Sequence, residues 1–291
     1  MKVINYGSLN IDYVYRVPHI SRPGETLCSA SFEIFTGGKG ANQSVALARA
    51  GAKVLHAGKV GTDGKWMLDK LAASGVDISL TTISNDKTGH AIIQVDDKGE
   101  NSIVLFPGAN RQIKRDEIKS VFNKTAAGDI LLLQNEINEL PYIIETGHKH
   151  GMKICLNPAP FGKEVLDHPL HLIDMLIVNE IEGKGLSGRK MPDEIVTALF
   201  KKFPKAEIVL TLGSEGVIYK SNNELIKVPA VKVEPVDTTA AGDTFIGYYL
   251  ASCIENKPVK ECLEIACKAA AICVSRKGAQ DSIPYRKDVI T

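Results

Sequence analysis

Short apolar, β-branched runs alternate with stretches of helical apolar spacing along most of this chain. Residues 3–6, 53–57, 130–134, 153–157, 175–179 and 208–212 read as buried strands. Helical spacing falls at 63–74, 140–150, 193–203, 243–255 and 259–275, with a shorter Ala-rich stretch at 44–50. That alternation predicts an α/β fold with a mostly parallel sheet, right-handed crossovers and helices on both faces. Two further strands, 217–220 and 225–228, flank Asn222-Asn223 and are expected to run antiparallel.

Two segments break the rhythm. Residues 11–36 carry little helical signal, and 88–106 read as two short strands joined by Asp96-Asp97-Lys98-Gly99. In the first of these, Ala91, Ile93 and Val95 share one face, with His90, Ile92 and Gln94 on the other. Such imperfect alternation suits a half-exposed strand pair. The two segments are therefore expected to form a small β-sheet lid on one α/β domain spanning 1–291, its open face over the C-terminal edge of the main sheet.

Composition narrows the class. The chain has 291 residues, 44% hydrophobic and 24% charged, which suits a soluble globular protein with a substantial core. A formal net charge of +1 gives no electrostatic reason to expect nucleic acid or a membrane as partner. No apolar run approaches the ~20 residues of a spanning helix. The chain enters a strand almost at once, so no signal or transit peptide is expected. Six cysteines without a C-x-x-C pair point to reduced thiols and a cytoplasmic protein. The histidines show no zinc spacing.

The chemistry concentrates in two glycine motifs. The first is Asp237-Thr238-Thr239-Ala240-Ala241-Gly242-Asp243-Thr244-Phe245. Ala240, Ala241 and Gly242 have almost no side chain, and a helix-compatible run follows, so their amides offer an anion site at a helix N-terminus. Asp243 beside that anion fits a base taking a proton from a hydroxyl under phosphorylation; the Gly-Asp pair by itself reads more readily as a helix cap, and the full string with the second glycine motif reverses that preference. The second motif is Gly37-Gly38-Lys39-Gly40-Ala41-Asn42-Gln43. Its glycines allow close approach of a ligand, while Lys39 and Asn42 supply a charge and an amide; a tight turn with glycines needed for packing is the plainer alternative. Neither motif is a Walker A loop, and Gly7-Ser8-Leu9-Asn10-Ile11-Asp12 stands where a dinucleotide fingerprint would be. A nicotinamide dehydrogenase is disfavoured accordingly.

With both glycine motifs, the Gly7 to Asp12 string and the interrupted β segments, the chain resembles the ribokinase-like (PfkB) family of sugar kinases over essentially its whole length. The resemblance implies a three-layer αβα sandwich with a β lid, and ATP- and Mg²⁺-dependent phosphorylation of a sugar, with the 5-hydroxyl of D-ribose as the leading acceptor. It assigns Asp243 as catalytic base and the backbone of Ala240, Ala241, Gly242 and Asp243 as the anion hole. Asn10, Asp12, Gly38, Lys39, Gly40, Ala41, Asn42 and Glu136 would hold the sugar. Asn179 and Glu182, within Asn179-Glu180-Ile181-Glu182, would organise magnesium and phosphates through water. Thr211, Leu212, Gly213, Ser214, Glu215 and Gly216 match the nucleotide loop, with Gly242 and Cys267 also on the nucleotide side. Cys267 departs from the Asn or His common in relatives. The loops of an activating monovalent cation, K⁺ or similar, correspond to Asp237, Thr239, Cys273, Arg276, Gly278 and Ser282. A homodimer through the lid is expected, since a second subunit would cover exposed sheet edges.

The alternatives are a kinase for fructose, a nucleoside or a sugar phosphate, and a sugar- or nucleotide-binding regulator that has lost turnover. Asp243 with a full anion hole argues against the regulator, which has no use for a base.

Overall fold

Val3 and Ile4 leave the first strand on opposite sides and enter two separate hydrophobic clusters, which is the signature of a sheet covered on both faces. The computed structural model describes residues 1–290. Its elements run β1 Val3–Tyr6, β2 Asn10–Arg16, β3 Ser31–Gly37, α1 Lys39–Arg49, β4 Val54–Gly61, α2 Lys65–Ala73 and β5 Asp77–Ser84. Next come β6 Gly89–Val95, β7 Asn101–Phe106, α3 Arg115–Phe122, β8 Ile130–Gln134, α4 Leu140–Lys149, β9 Lys153–Asn157 and β10 Met175–Asn179. The remainder is α5 Glu180–Ser187, α6 Pro192–Lys202, β11 Glu207–Thr211, β12 Val217–Lys220, β13 Leu225–Val228, α7 Ala241–Ile254, α8 Val259–Val274 and α9 Arg286–Val289.

Among the described residues the strands form two sheets. The larger has the order β13-β12-β11-β10-β9-β8-β1-β4-β5 and is parallel except at β12 and β13, the pair expected to turn back. Helices α1, α2, α7 and α8 cover the face that receives Val3; α3, α4, α5 and α6 cover the face that receives Ile4. The smaller sheet has the order β3-β2-β6-β7 and comes from the two segments that broke the helical rhythm. Its register puts Asp12 on one face with Ala91 and Leu105, and Tyr13 on the other with Ile34, Ile92 and Val104.

Several elements differ from the sequence expectation, α5 and α9 among them. Helix α1 begins at Lys39 rather than near Ser44, because Gly38 takes a φ of 92° and turns the chain into the helix at once. Gly40 and Asn42 are weak helix formers, which hid that first turn. Strand β5 was not anticipated; its apolar positions Ile78, Leu80 and Ile83 break the period of two. Helix α3 was also missed, a two-turn segment with only Ile118, Val121 and Phe122 buried.

Candidate active site

The first turn of α7 carries the principal acid. Ala240 adopts a left-handed conformation (φ 61°) and starts the helix, so Ala241, Gly242 and Asp243 form its first turn. The amides of a first turn have no carbonyl four residues back. Ala241 reaches the Thr238 carbonyl at only 3.3 Å. Gly242 is exposed, and a Cβ there would meet nothing within 4 Å, so space lies open above these donors. Asp243 is 7% exposed. Its Oδ2 accepts from Asn42 Nδ2 at 3.0 Å and its Oδ1 from Gln43 Nε2 at 2.9 Å. The two glycine motifs thus meet, with α1 lying against α7.

Lys39 opens α1 and is the positive centre of the site. Burial alone would pull its pKa down, but the Asp243, Glu136 and Glu182 carboxylates outweigh that and hold it above the usual lysine value. Glu136 follows β8, accepting from the Ser8 hydroxyl and from the Lys39 backbone N–H at 2.9 Å. Burial is the main reason its carboxyl is raised. Asn10 opens β2, almost fully buried, with its Oδ1 receiving Asn110 Nδ2 at 2.8 Å. Asp12 lies two residues on, and burial, with the Glu136 charge adding, pushes its pKa up to about 7. A Cβ at Gly37 would occupy the space of the Asp12 carboxylate and force it to shift. Asn10 and Glu136 border a cavity of about 160 Å³, closed by Leu105 of the small sheet and by Asn135 and Phe161.

None of the residues lining that cavity comes from the second motif. A Cβ at Gly40 would strike the backbone of Gly7 and Ser8, and Ala41 is wholly buried in the core. For these two, the packing alternative describes the local environment. Ser8, Gln43, Asn110 and Asn157 were missed by sequence reasoning. They are uncharged residues inside or beside strands and helices, and only the fold brings them near the acids.

At the end of β10, Asn179 and Glu182 form a reciprocal cap on α5. Asn179 N–H donates to Glu182 Oε2 at 2.8 Å, and Glu182 N–H to Asn179 Oδ1 at 3.0 Å. Glu182 is 4% exposed and its carboxyl is raised chiefly by burial, whereas Glu180 is exposed. Thr211 closes β11, and the following loop turns through Gly213 (φ 54°) and Gly216 (φ 105°). Leu212 N–H donates to the Gly216 carbonyl at 2.8 Å, closing that loop, and leaves Ser214 and Glu215 exposed. Cys267 is buried within α8, and burial lifts its thiol to about 11.

Asp237 ties two loops together, accepting from Thr239 N–H at 2.9 Å and from Gly278 N–H at 3.1 Å. Cys273 contacts the Thr239 carbonyl at 3.6 Å and Ser282 Oγ at 3.1 Å. The Arg276 guanidinium turns instead to Asp288, at 3.5 Å. No cluster of three or more His, Cys, Asp or Glu side chains suited to a metal occurs among the described residues. Among them, too, no helix is long and apolar enough to cross a membrane.

Comparison with known proteins identifies the family and the fold. The profile of pfkB family carbohydrate kinases matches residues 1–286. A ribokinase from Haemophilus influenzae is 38% identical, with 98% of this chain and 95% of the relative covered. The crystal structure of a Thermotoga maritima ribokinase superposes with a TM-score of 0.89 at 34% identity, covering 99% of this chain and 98% of the other. An Arabidopsis thaliana ribokinase structure, complexed with ribose and ATP, gives 0.87 at 30% identity, covering 99% and 97%. The chain belongs to the pfkB family of carbohydrate kinases, which transfer a phosphoryl group to an alcohol acceptor.

Proposed function

We propose that the protein transfers the γ-phosphoryl group of ATP to the 5-hydroxyl of D-ribose. The observation that carries the reading is Asp243, buried at the open N-terminus of α7 and facing Lys39 on the helix that also borders Glu136. The similarity to ribokinases, one of them complexed with ribose and ATP, supports the choice of sugar and nucleotide. Asn10, Asp12, Lys39, Asn42 and Glu136 form a short polar set suited to several hydroxyls on a small ring, with Gly38 giving access. A site built for such hydroxyls discriminates strongly against analogues that leave its groups unpaired.

Phosphoryl transfer has a loose transition state, so positioning and charge stabilisation dominate. Asp243 takes the hydroxyl proton late, as the attacking oxygen acidifies. The α7 amides face the developing anionic charge, and Lys39 adds a positive charge nearby. Thr211 to Gly216 and Cys267 would border the nucleotide.

Magnesium would neutralise phosphate charge. Both Glu182 oxygens already accept from Asn179, so Glu182 fits an ion held through water better than direct ligation. A monovalent cation such as K⁺ would suit the loops joined by Asp237, with Thr239, Cys273, Arg276, Gly278 and Ser282 supplying carbonyl and hydroxyl oxygens. The small sheet acts as a lid over the sugar, within one domain. Its outer face, with Ile34 47% and Val104 66% exposed, suits a second copy of the chain, giving a homodimer. Six free thiols suit a reducing compartment, the cytoplasm. An ADP-release assay over a panel of sugars and nucleosides tests the substrate: ribose should turn over best, and efficient turnover of fructose or a nucleoside without ribose would overturn the assignment.

A further inference from the structure

A line of buried amides runs behind the acid at the head of α7. Gln43 is fully buried, with no surface open to substrate in this structure, and every polar contact its side chain makes is to another side chain. Its Nε2 donates to Asp243 Oδ1 at 2.9 Å and to Asn157 Oδ1 at 3.2 Å. Its Oε1 accepts from Gln134 Nε2 at 2.6 Å. Gln134 gives its other N–H to Asn5 Oδ1 at 3.0 Å, and Asn5 donates to the Gly40 carbonyl at 2.7 Å and to Ser44 Oγ at 2.8 Å.

The direction of every amide in that line is fixed. A backbone carbonyl can only accept, so Gly40 forces Asn5 to present its nitrogen there and its oxygen to Gln134. Gln134 must then donate to both Asn5 and Gln43, which turns the Gln43 nitrogen toward Asp243. Asn157 repeats the constraint from another side, because its Nδ2 donates to the Ile177 carbonyl at 3.0 Å and so turns its oxygen to Gln43. Flipping Gln43 would set its oxygen against two acceptors and its nitrogen against a donor. Backbone groups of α1 and β10 thus determine how one oxygen of Asp243 is held.

We propose that Gln43 is a positioning residue for phosphoryl transfer, fixing the Asp243 carboxylate so that its other oxygen can take the hydroxyl proton. This rests on the reading of Asp243 as the base. Asn42, the second donor to Asp243, belongs to the set assigned to sugar; Gln43 is the holder that does not exchange partners when substrate enters. Displacing a reacting group by ~1 Å costs on the order of 10²-fold in rate, so loss of this hold should appear in kcat and leave sugar binding alone.

The test is Gln43→Met, which keeps the length of the side chain and removes the donor. Ribose binding and stoichiometry are measured by calorimetry, and kcat is expressed per binding site, so that a fraction of misfolded protein does not count as slow chemistry. The expected result is a dissociation constant within about threefold of the parent and a kcat per site lower by roughly 10- to 100-fold. A kcat per site within twofold of the parent overturns the proposal. Gln134→Met, which loosens the strut behind Gln43 without touching Asp243, should lower kcat per site at least about threefold. It decides the matter if Gln43→Met does not fold, an unchanged kcat again overturning the proposal. Asp243→Ala is run alongside: if it keeps its kcat, the reading of the base has failed; if it collapses while Gln43→Met does not, only the role of Gln43 has.

Discussion

Asn110 holds Asn10 from behind: its Nδ2 donates to Asn10 Oδ1 at 2.8 Å, while its own oxygen accepts from the Leu9 backbone N–H at 3.0 Å. With its oxygen occupied, Asn10 keeps its amide N–H groups for a ligand in the cavity that both residues line. Asn110→Ala frees Asn10 to rotate and leaves a buried backbone donor unpaired. The KM for ribose should rise about tenfold with a smaller change in kcat, as measured in steady-state assays.

Asp243→Ala should lower kcat by ~10²–10⁴-fold, the usual contribution of a general base, with ribose and nucleotide still bound in calorimetry. A kcat close to that of the parent would leave Asp243 as a helix-terminal acid only.

Asp12 should make sugar binding depend on pH. Burial and the Glu136 charge raise its pKa to about 7, so the free site holds a neutral carboxyl below that pH. Sugar hydroxyls donate best to the ionised form, so binding must release the proton. Ribose affinity should weaken by up to about tenfold for each pH unit below 7, with proton release detectable in buffers of different ionisation enthalpy. Asp12→Asn should flatten that dependence while binding more weakly overall.

His56 makes the fold itself sensitive to acid. It is fully buried, and burial lowers its pKa to about 4. Its Nδ1 lies 2.8 Å from Ser44 Oγ. Between pH 6.5 and 4 the unfolded chain binds a proton that the folded chain refuses, so stability is present above 6.5 and lost as pH falls. Urea unfolding should show about 2 kcal/mol less stability at pH 5 than at pH 7.5 from this residue, and His56→Gln should remove that part of the slope.

Activity should rise with K⁺ in sodium-free buffer, mainly in kcat, because a cation between the Asp237 and Gly278 loops would steady the α7 amides. Arg276 pairs with Asp288 and does not neutralise Asp237, whose carboxyl stays below its usual value through the Thr239 and Gly278 donors despite partial burial. Rates flat in K⁺, with Asp237→Ala equally indifferent, would leave Asp237 as a loop tie alone.

Much of this was readable from the chain because the signals were local. β1, β8, β9 and β10 coincide with uninterrupted apolar runs, and the strand pair at 217–228 with its Asn-Asn turn. Asp243 and Lys39 announced themselves through glycine-rich neighbours. Gln43, Gln134 and Asn157 could not, since an amide in a strand or helix has no distinctive spacing and acquires its role from partners 91 to 200 residues away. Gly40 is hard to read for a related reason: its lack of a side chain answers to the backbone of Gly7 and Ser8, which only the fold brings near.

The small sheet joins the main one through very little chain. Gly7, Ser8 and Leu9 separate β1 from β2, and Gly38 alone separates β3 from α1. Such connectors have no slack, so any tilt of the four strands acts as a lever with its fulcrum beside Asn10 and Asp12. A small movement there becomes a large one at the Asp96 to Glu100 turn, at the far end of β6 and β7. That turn is the place to attach a fluorophore or graft a sensor loop, whereas one residue inserted at Gly38 would uncouple α1 and its Lys39 from any tilt of the small sheet.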